Sequence, residues 1–257
     1  MPGKKYVARA LVLLLLLLII ALLLTAFFRH KNGDALWHIV HDRCVPGAQK
    51  GDPAPCQQVS SEQGYVTLKD RVGPLQFLLL PIRKISGMES PLILDPKTPN
   101  FFALAWHQRG LLAQKRGAPI DDRVISLAIN SQYGRTQNQL HIHISCLRRD
   151  VRQQLDSMNS RPGPQWQPTL LRGHRYFLRT LSQAELMQQS VFIRLAMELP
   201  DARKAMGKYG LALASLEDGR LVLMATKQNW LSLNYGSAEE LQDHQCKMPG
   251  GVAAASS

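Results

Sequence analysis

Residues 134–145 read Gly134-Arg135-Thr136-Gln137-Asn138-Gln139-Leu140-His141-Ile142-His143-Ile144-Ser145. From Gln139 onward polar and apolar side chains alternate, which is the period of a strand with one buried face. Leu140, Ile142 and Ile144 then enter the interior, while Gln139, His141 and His143 project together from the other face. Two adjacent imidazoles cannot both carry charge cheaply. The pair therefore suits a neutral nucleophile or a metal site, with a packed structural pair as the plain alternative.

Working outward, VISLAIN (124–130) and LHIHISCL (140–147) flank a polar turn around Gly134 and form a hairpin. A second hairpin joins YVTLKD (65–70) to LQFLLLPI (75–82), the latter apolar enough to be buried on both faces. A third joins YGLALASL (209–216) to RLVLMAT across Glu217-Asp218-Gly219. RYFLRTL (175–181) is strand-like, and residues 45–64, 83–99 and 160–168 read as connections. Helical spacing predicts helices over 35–44, 100–115 and 150–157, and two stretches within 182–206 broken near Pro200. Ser182 and Glu185 are spaced as a capping box. Ser237 to Cys246 reads as a short helix, followed by a disordered tail over 248–257. The whole is α+β with a mostly antiparallel sheet and flanking helices.

The 257 residues carry 31 Lys and Arg against 19 Asp and Glu, a net charge of +12, so an anionic partner is expected. Residues 1–9 form a basic leader, and Ala10 to Phe28 contains no charge over 19 residues. As a helix that run covers about 28 Å, enough to cross a bilayer. The alternative is a cleaved signal peptide, although the run is long for one and ends TAFFRHK rather than in small residues. An uncleaved anchor with a cytoplasmic leader would place residues 35–247 outside the cytoplasm. Scattered basic residues and translocation disfavour a nucleic-acid partner.

Cys44, Cys56, Cys146 and Cys246 all follow the apolar run, and an oxidising compartment would pair them. Three connectivities are possible. Cys44 with Cys56, closing a Pro- and Gly-rich loop, and Cys146 with Cys246, closing about 100 residues, is the favoured one. No C-x-x-C spacing supports zinc on these thiols.

The stretch 134–145 resembles the signature of the histidine-triad superfamily, in which a His-x-His-x-His strand follows a Gly-x-Ser/Thr phosphate-binding turn. Matched residue by residue, His141 is the central histidine, His143 the third, and Gln139 stands where the first histidine is usual. A shift by two would make His143 central and Ser145 third, at the cost of the distance from the Gly134 to Thr136 turn. Taken with PLQFLLLPIRKISGMESP (74–91), TPNFFALAW (98–106), LAINSQYGRTQNQLHIHISC (127–146) and ELQDHQC (240–246), the chain resembles the bacterial CDP-diacylglycerol pyrophosphatases over nearly all of 35–246.

That resemblance implies a HIT-like catalytic domain over 35–247 that hydrolyses CDP-diacylglycerol to CMP and phosphatidate without a cofactor or metal. It implies a single-pass protein of the bacterial inner membrane with its catalytic domain on the periplasmic side. His141 would be the nucleophile, with His143 and Gln139 on phosphoryl oxygens. Gly134, Arg135, Thr136, Asn130, Arg83 and Lys84 would bind substrate. Two rival classes remain open: a metal-dependent phosphohydrolase using the H-x-H pair as ligands, and a non-catalytic lipid-binding module.

Overall fold

A computed structural model describes residues 6, 9, 11–21, 33–158 and 162–247. Residues 11–21 are helical, and no helix among the described residues is long and apolar enough to cross a membrane. Most of the expected leader, the remainder of the 10–28 run, part of the 160–168 connection and the 248–257 tail lie outside the described residues.

Among the described residues ten strands form one sheet, and every pairing in it is antiparallel. They are β1 (Cys56–Ser60), β2 (Tyr65–Lys69), β3 (Phe77–Pro81), β4 (Ile125–Ile129), β5 (Ile142–Leu147), β6 (Gln167–Leu171), β7 (His174–Leu181), β8 (Tyr209–Ser215), β9 (Leu221–Lys227) and β10 (Gln242–Asp243). Their spatial order is β1-β2-β3-β5-β4-β8-β9-β7-β6. β10 continues the lane of β3 along β5, pairing Gln242 with Leu147 and Asp243 with Cys146. The three expected hairpins are present, and β3 is buried at all five positions.

One face of the sheet carries the main core. Phe77, Leu79, Ile142, Ile144, Leu127, Leu211 and Leu223 pack there against Phe102, Trp106, Phe192 and Leu195. The last four come from helices Phe101–His107 and Val191–Glu198. A fully buried leucine of this kind contributes roughly 2 kcal/mol through apolar burial.

The opposite face is covered in two separate patches. α1 (Ala35–His38) continues through a π-helical turn (Ile39–Cys44) into Val45–Gln49, and buries Val40 and Cys44 against Val66, Leu68, Leu78 and Leu80. At the other end the helix Arg149–Ser157 buries Val151 and Leu155 against Leu178, Ala212, Ala128 and Met224.

Four expectations are corrected. Residues 45–64 contain a helical turn and β1, and residues 160–168 run into β6. Both strands were illegible because they are sheet edges with polar or proline-containing sequences, CQQVS and QPTLL, and an edge tolerates Pro168. The break within 182–206 falls at Gln189 and Ser190, where the Ser190 side chain accepts the Phe192 N–H and starts a new helix. Ser237 to Cys246 is a 3-10 turn (Ala238–Leu241) followed by β10, since the buried Gln242 amide donates to the Ser126 and His143 carbonyls.

The capping box is present: Ser182 Oγ accepts from Glu185 N at 3.1 Å, and Ser182 N donates to Glu185 Oε2 at 2.7 Å. Ser182→Ala is therefore expected to lower the unfolding free energy by about 1 kcal/mol. A urea melt with an unchanged midpoint would contradict this. Both disulfides have the favoured connectivity, Cys44 with Cys56 and Cys146 with Cys246.

Candidate active site

In the β3-β5-β4 register His143 stands between Leu78 and Ala128. Leu78 belongs to the patch under α1 and Ala128 to the patch under Arg149–Ser157. The histidine pair thus rises through the gap between the two helix-covered patches, in a cavity of about 600 Å³. β5 begins at Ile142, one residue after His141, yet the two rings remain neighbours with centroids 5.0 Å apart.

The turn after β4 forms one wall. Ser131 Oγ accepts the N–H groups of Tyr133 and Gly134 and donates to the Tyr235 carbonyl at 2.6 Å. Gly134 lies so close to the segment 235–237 that a Cβ there would sit 3.1 Å from Ser237 Cβ. α1 closes the opposite rim, tied to the turn by Leu36 N to Gln137 Oε1 at 3.0 Å.

The Gln139 carbonyl fixes the tautomer of His141. His141 Nδ1 faces the Gln139 carbonyl at 2.6 Å; a carbonyl only accepts, so Nδ1 carries the proton and Nε2 a free lone pair. Burial first, and then the neighbouring His143, push protonation of His141 down to about 4.

The amide of Gln76 faces His143. Its nitrogen is 2.8 Å from the Asp70 carboxylate, an acceptor, so the same NH₂ group is the donor that meets His143 Nδ1 at 3.1 Å. The same Nδ1 also faces the Glu239 Oε1 acceptor, and His143 Nε2 is buried without a hydrogen-bond partner among the described residues. Burial lowers the His143 pKa, while Glu239 and Asp70 work against that shift.

Glu239 stands behind the pair. Its Oε1 is 3.3 Å from both His143 Nδ1 and His244 Nε2, and its Oε2 accepts from Asn130 Nδ2 at 2.8 Å. Burial pushes its carboxyl pKa up, but the facing histidines and Asn130 outweigh burial and hold it below the ordinary value. His244 also hydrogen-bonds Gln76 Oε1 through Nδ1, which closes a network of Asp70, Gln76, His143, Glu239 and His244.

A family model described as CDP-diacylglycerol pyrophosphatase matches residues 31–249. The chain belongs to that family. It is a hydrolase acting on a pyrophosphate bond, and the family's substrate is CDP-diacylglycerol. The matched span contains all ten strands, both disulfides and the histidine cavity.

Within the pyrophosphatase some expected site residues meet at the cavity and others do not. Asn130, Gly134, Arg135, Thr136, His141 and His143 line it. The Gln139 side chain points elsewhere: its NH₂ donates to the Pro81 and Arg83 carbonyls and its oxygen accepts from Ile85 N. With every polar atom used by that backbone, only its main-chain carbonyl serves the site. Arg135 reaches the cavity, but its guanidinium grips Glu89 at 2.5 and 2.8 Å and is no free cation. Lys84 pairs with Asp34 at 2.9 Å, and neither it nor Arg83 lines the cavity. Ser145, the third member of the shifted alignment, is fully buried in β5 outside it.

Other residues around the cavity carry almost no signal in the sequence. Arg43, Lys69 and Arg71 supply cations to the cavity wall, and Glu239, Gln76 and Asp70 set the charge around His143. His244, which stands without a partner at a diagnostic spacing, joins them from 101 positions beyond His143. Its only sequence signal was its place in ELQDHQC.

Proposed function

We propose that the chain hydrolyses CDP-diacylglycerol to CMP and phosphatidate through a nucleotidyl-histidine on His141. The observation that carries this is the 2.6 Å contact from His141 Nδ1 to the Gln139 carbonyl, which leaves Nε2 as a neutral nucleophile facing the cavity. Nε2 attacks the cytidine-side phosphorus in line. A bond forms from Nε2 to phosphorus, and the bond from phosphorus to the bridging oxygen breaks, the electron pair leaving with phosphatidate. Water then attacks the same phosphorus and gives up one proton to solvent, the nitrogen–phosphorus bond breaks, and CMP departs while His141 recovers its lone pair.

His143 Nε2–H donates to a phosphoryl oxygen and, being already aimed, needs no reorganisation as charge develops. Glu239 is a positioning residue, ready to take the Nδ1 proton contact if His143 becomes charged. Arg43, Lys69 and Arg71 take the neutralising part first expected of Arg135, Arg83 and Lys84. The turn at Thr136 contributes its hydroxyl and backbone to the same oxygens, as in the histidine-triad proteins that the motif resembles. The domain is read as anchored by residues 10–28 and facing the periplasm of the bacterial inner membrane, and the paired cysteines support an oxidising compartment.

The test uses substrate labelled at the cytidine-side phosphate, in ¹⁸O-water with and without chelator. Label trapped on protein as an acid-labile phosphoramidate, ¹⁸O in CMP and indifference to chelator are the expected results. ¹⁸O in phosphatidate would place the attack on the lipid phosphorus, and loss of activity on chelation would move the enzyme to the metal-dependent class.

A second expectation concerns pH. Only neutral His141 attacks, and burial holds it neutral to about 4. As pH falls, kcat/KM should therefore survive passage through 6.5, where an ordinary histidine protonates, and fall as pH passes through about 4. An acid limb between 6 and 7 would contradict the buried, carbonyl-bonded ring.

A further inference from the structure

Beyond the cavity, the two most exposed large apolar side chains of the described domain lie on one tip, with three exposed aromatic rings beside them. Leu231 is 99% exposed and Leu233 73%, beside Trp230, Tyr235 and Tyr133, all more than two-fifths exposed. The tip is not loose. Asn229 and Asn234 exchange both backbone hydrogen bonds, at 2.7 and 2.9 Å, and the Asn234 side chain is tied to Thr226 Oγ1 and Gly236 N. The rings of Tyr133, Trp230 and Tyr235 stack edge to face in series, at 5.7 and 5.4 Å. Leu233 is held at φ 52°, a left-handed conformation that a leucine adopts reluctantly, with its side chain in water.

Two further observations say what this tip meets. Tyr133 directly precedes the catalytic turn, and Gly134, Arg135 and Thr136 line the histidine cavity on one side and a cleft with Tyr133 and Tyr235 on the other. The neighbouring clefts are lined by Arg203, Lys204 and Lys208 next to Tyr133, and by Arg175 and Lys227 next to Asn229. All five cations are exposed. Amphipathic rings at the level of the headgroups, leucines reaching past them and cations around them are the composition of an interfacial membrane contact.

We propose that residues 229–235 dock on an anionic bilayer surface, with Leu231 and Leu233 entering the acyl boundary, so that the catalytic turn lies against the leaflet that holds the substrate. This contact is separate from the run 10–28. It rests on the proposed lipid-linked substrate for its purpose, but its physical test does not need catalysis.

The full chain would be reconstituted in vesicles of phosphatidylglycerol and phosphatidylcholine containing acyl-brominated lipid, which quenches tryptophan on contact. Wild-type emission should be quenched, and Trp230→Phe should remove most of that quenching. Leu231→Ser and Leu233→Asn change exposed positions, and asparagine tolerates the left-handed conformation, so the fold should be retained.

Each variant should raise the apparent KM for vesicle-borne CDP-diacylglycerol by about tenfold while leaving hydrolysis of a soluble CDP ester without acyl chains unchanged. Quenching that persists in Trp230→Phe, or variants indistinguishable from wild type on vesicles, would overturn the proposal. So would an unquenched tip whose removal abolishes self-association in sedimentation, since that would make it a contact between copies. Failure to hydrolyse either substrate, with quenching intact, would count against the proposed reaction and uphold the docking surface.

Discussion

His141→Ala should lower turnover of CDP-diacylglycerol by about 10⁴-fold or more, the scale on which enzymes lose activity when a nucleophile is removed. Labelled protein should disappear with it. The variant should still fold, because the His141 ring makes one hydrogen bond, to a carbonyl that water can reach once the side chain is gone. His143→Ala should also be impaired, but it should still trap label, since its Nε2–H stabilises charge without forming the bond. Steady-state rates and acid-quenched labelling of the two variants would separate these roles. Full activity in His141→Ala, with loss in His143→Ala, would transfer the nucleophile two residues along the strand.

The second large effect concerns stability. Replacing both Cys146 and Cys246 by serine should lower the unfolding free energy by about 4 to 5 kcal/mol, the chain-entropy value for a loop of about 100 residues. Domains of this size are stable by roughly 5 to 15 kcal/mol, so much of the margin would go. The pair Cys44 and Cys56 is separated by 12 residues and should cost about 3 kcal/mol. Equilibrium urea melts of the two double variants would show the order, and a larger loss for the short loop would mean that packing around Cys44, rather than loop length, decides.

Much of the framework was legible because it rests on local periodicity. The alternation at 139–145 put both imidazoles on one face, Glu217-Asp218-Gly219 fixed a hairpin, and Ser182 with Glu185 marked a helix start. β1 and β6 were not legible, since a strand at a sheet edge needs neither an apolar face nor a full set of N–H donors. The site was legible along the stretch from Asn130 to His143, where Asn130, Gly134, Arg135, Thr136 and both imidazoles line the cavity. Gln139 could be aligned with a histidine, but that its side chain is consumed by the backbone of 81–85 is a fact of tertiary packing. Arg135 looked free because Glu89 lies 46 positions away. Gln76 acquires meaning only when β3 is laid along β5, and Glu239 and His244 only when β10 is, and no spacing rule spans those distances.

Because the rear of the cavity is built from residues 237–246, the histidine strand exists on the growing polypeptide well before its wall does. A nascent chain halted at residue 236 would contain His141 and His143 but neither Glu239 nor His244, nor the partner for Cys146. The rear wall of the cavity and the second disulfide are thus complete only once the last residues of the domain have been made.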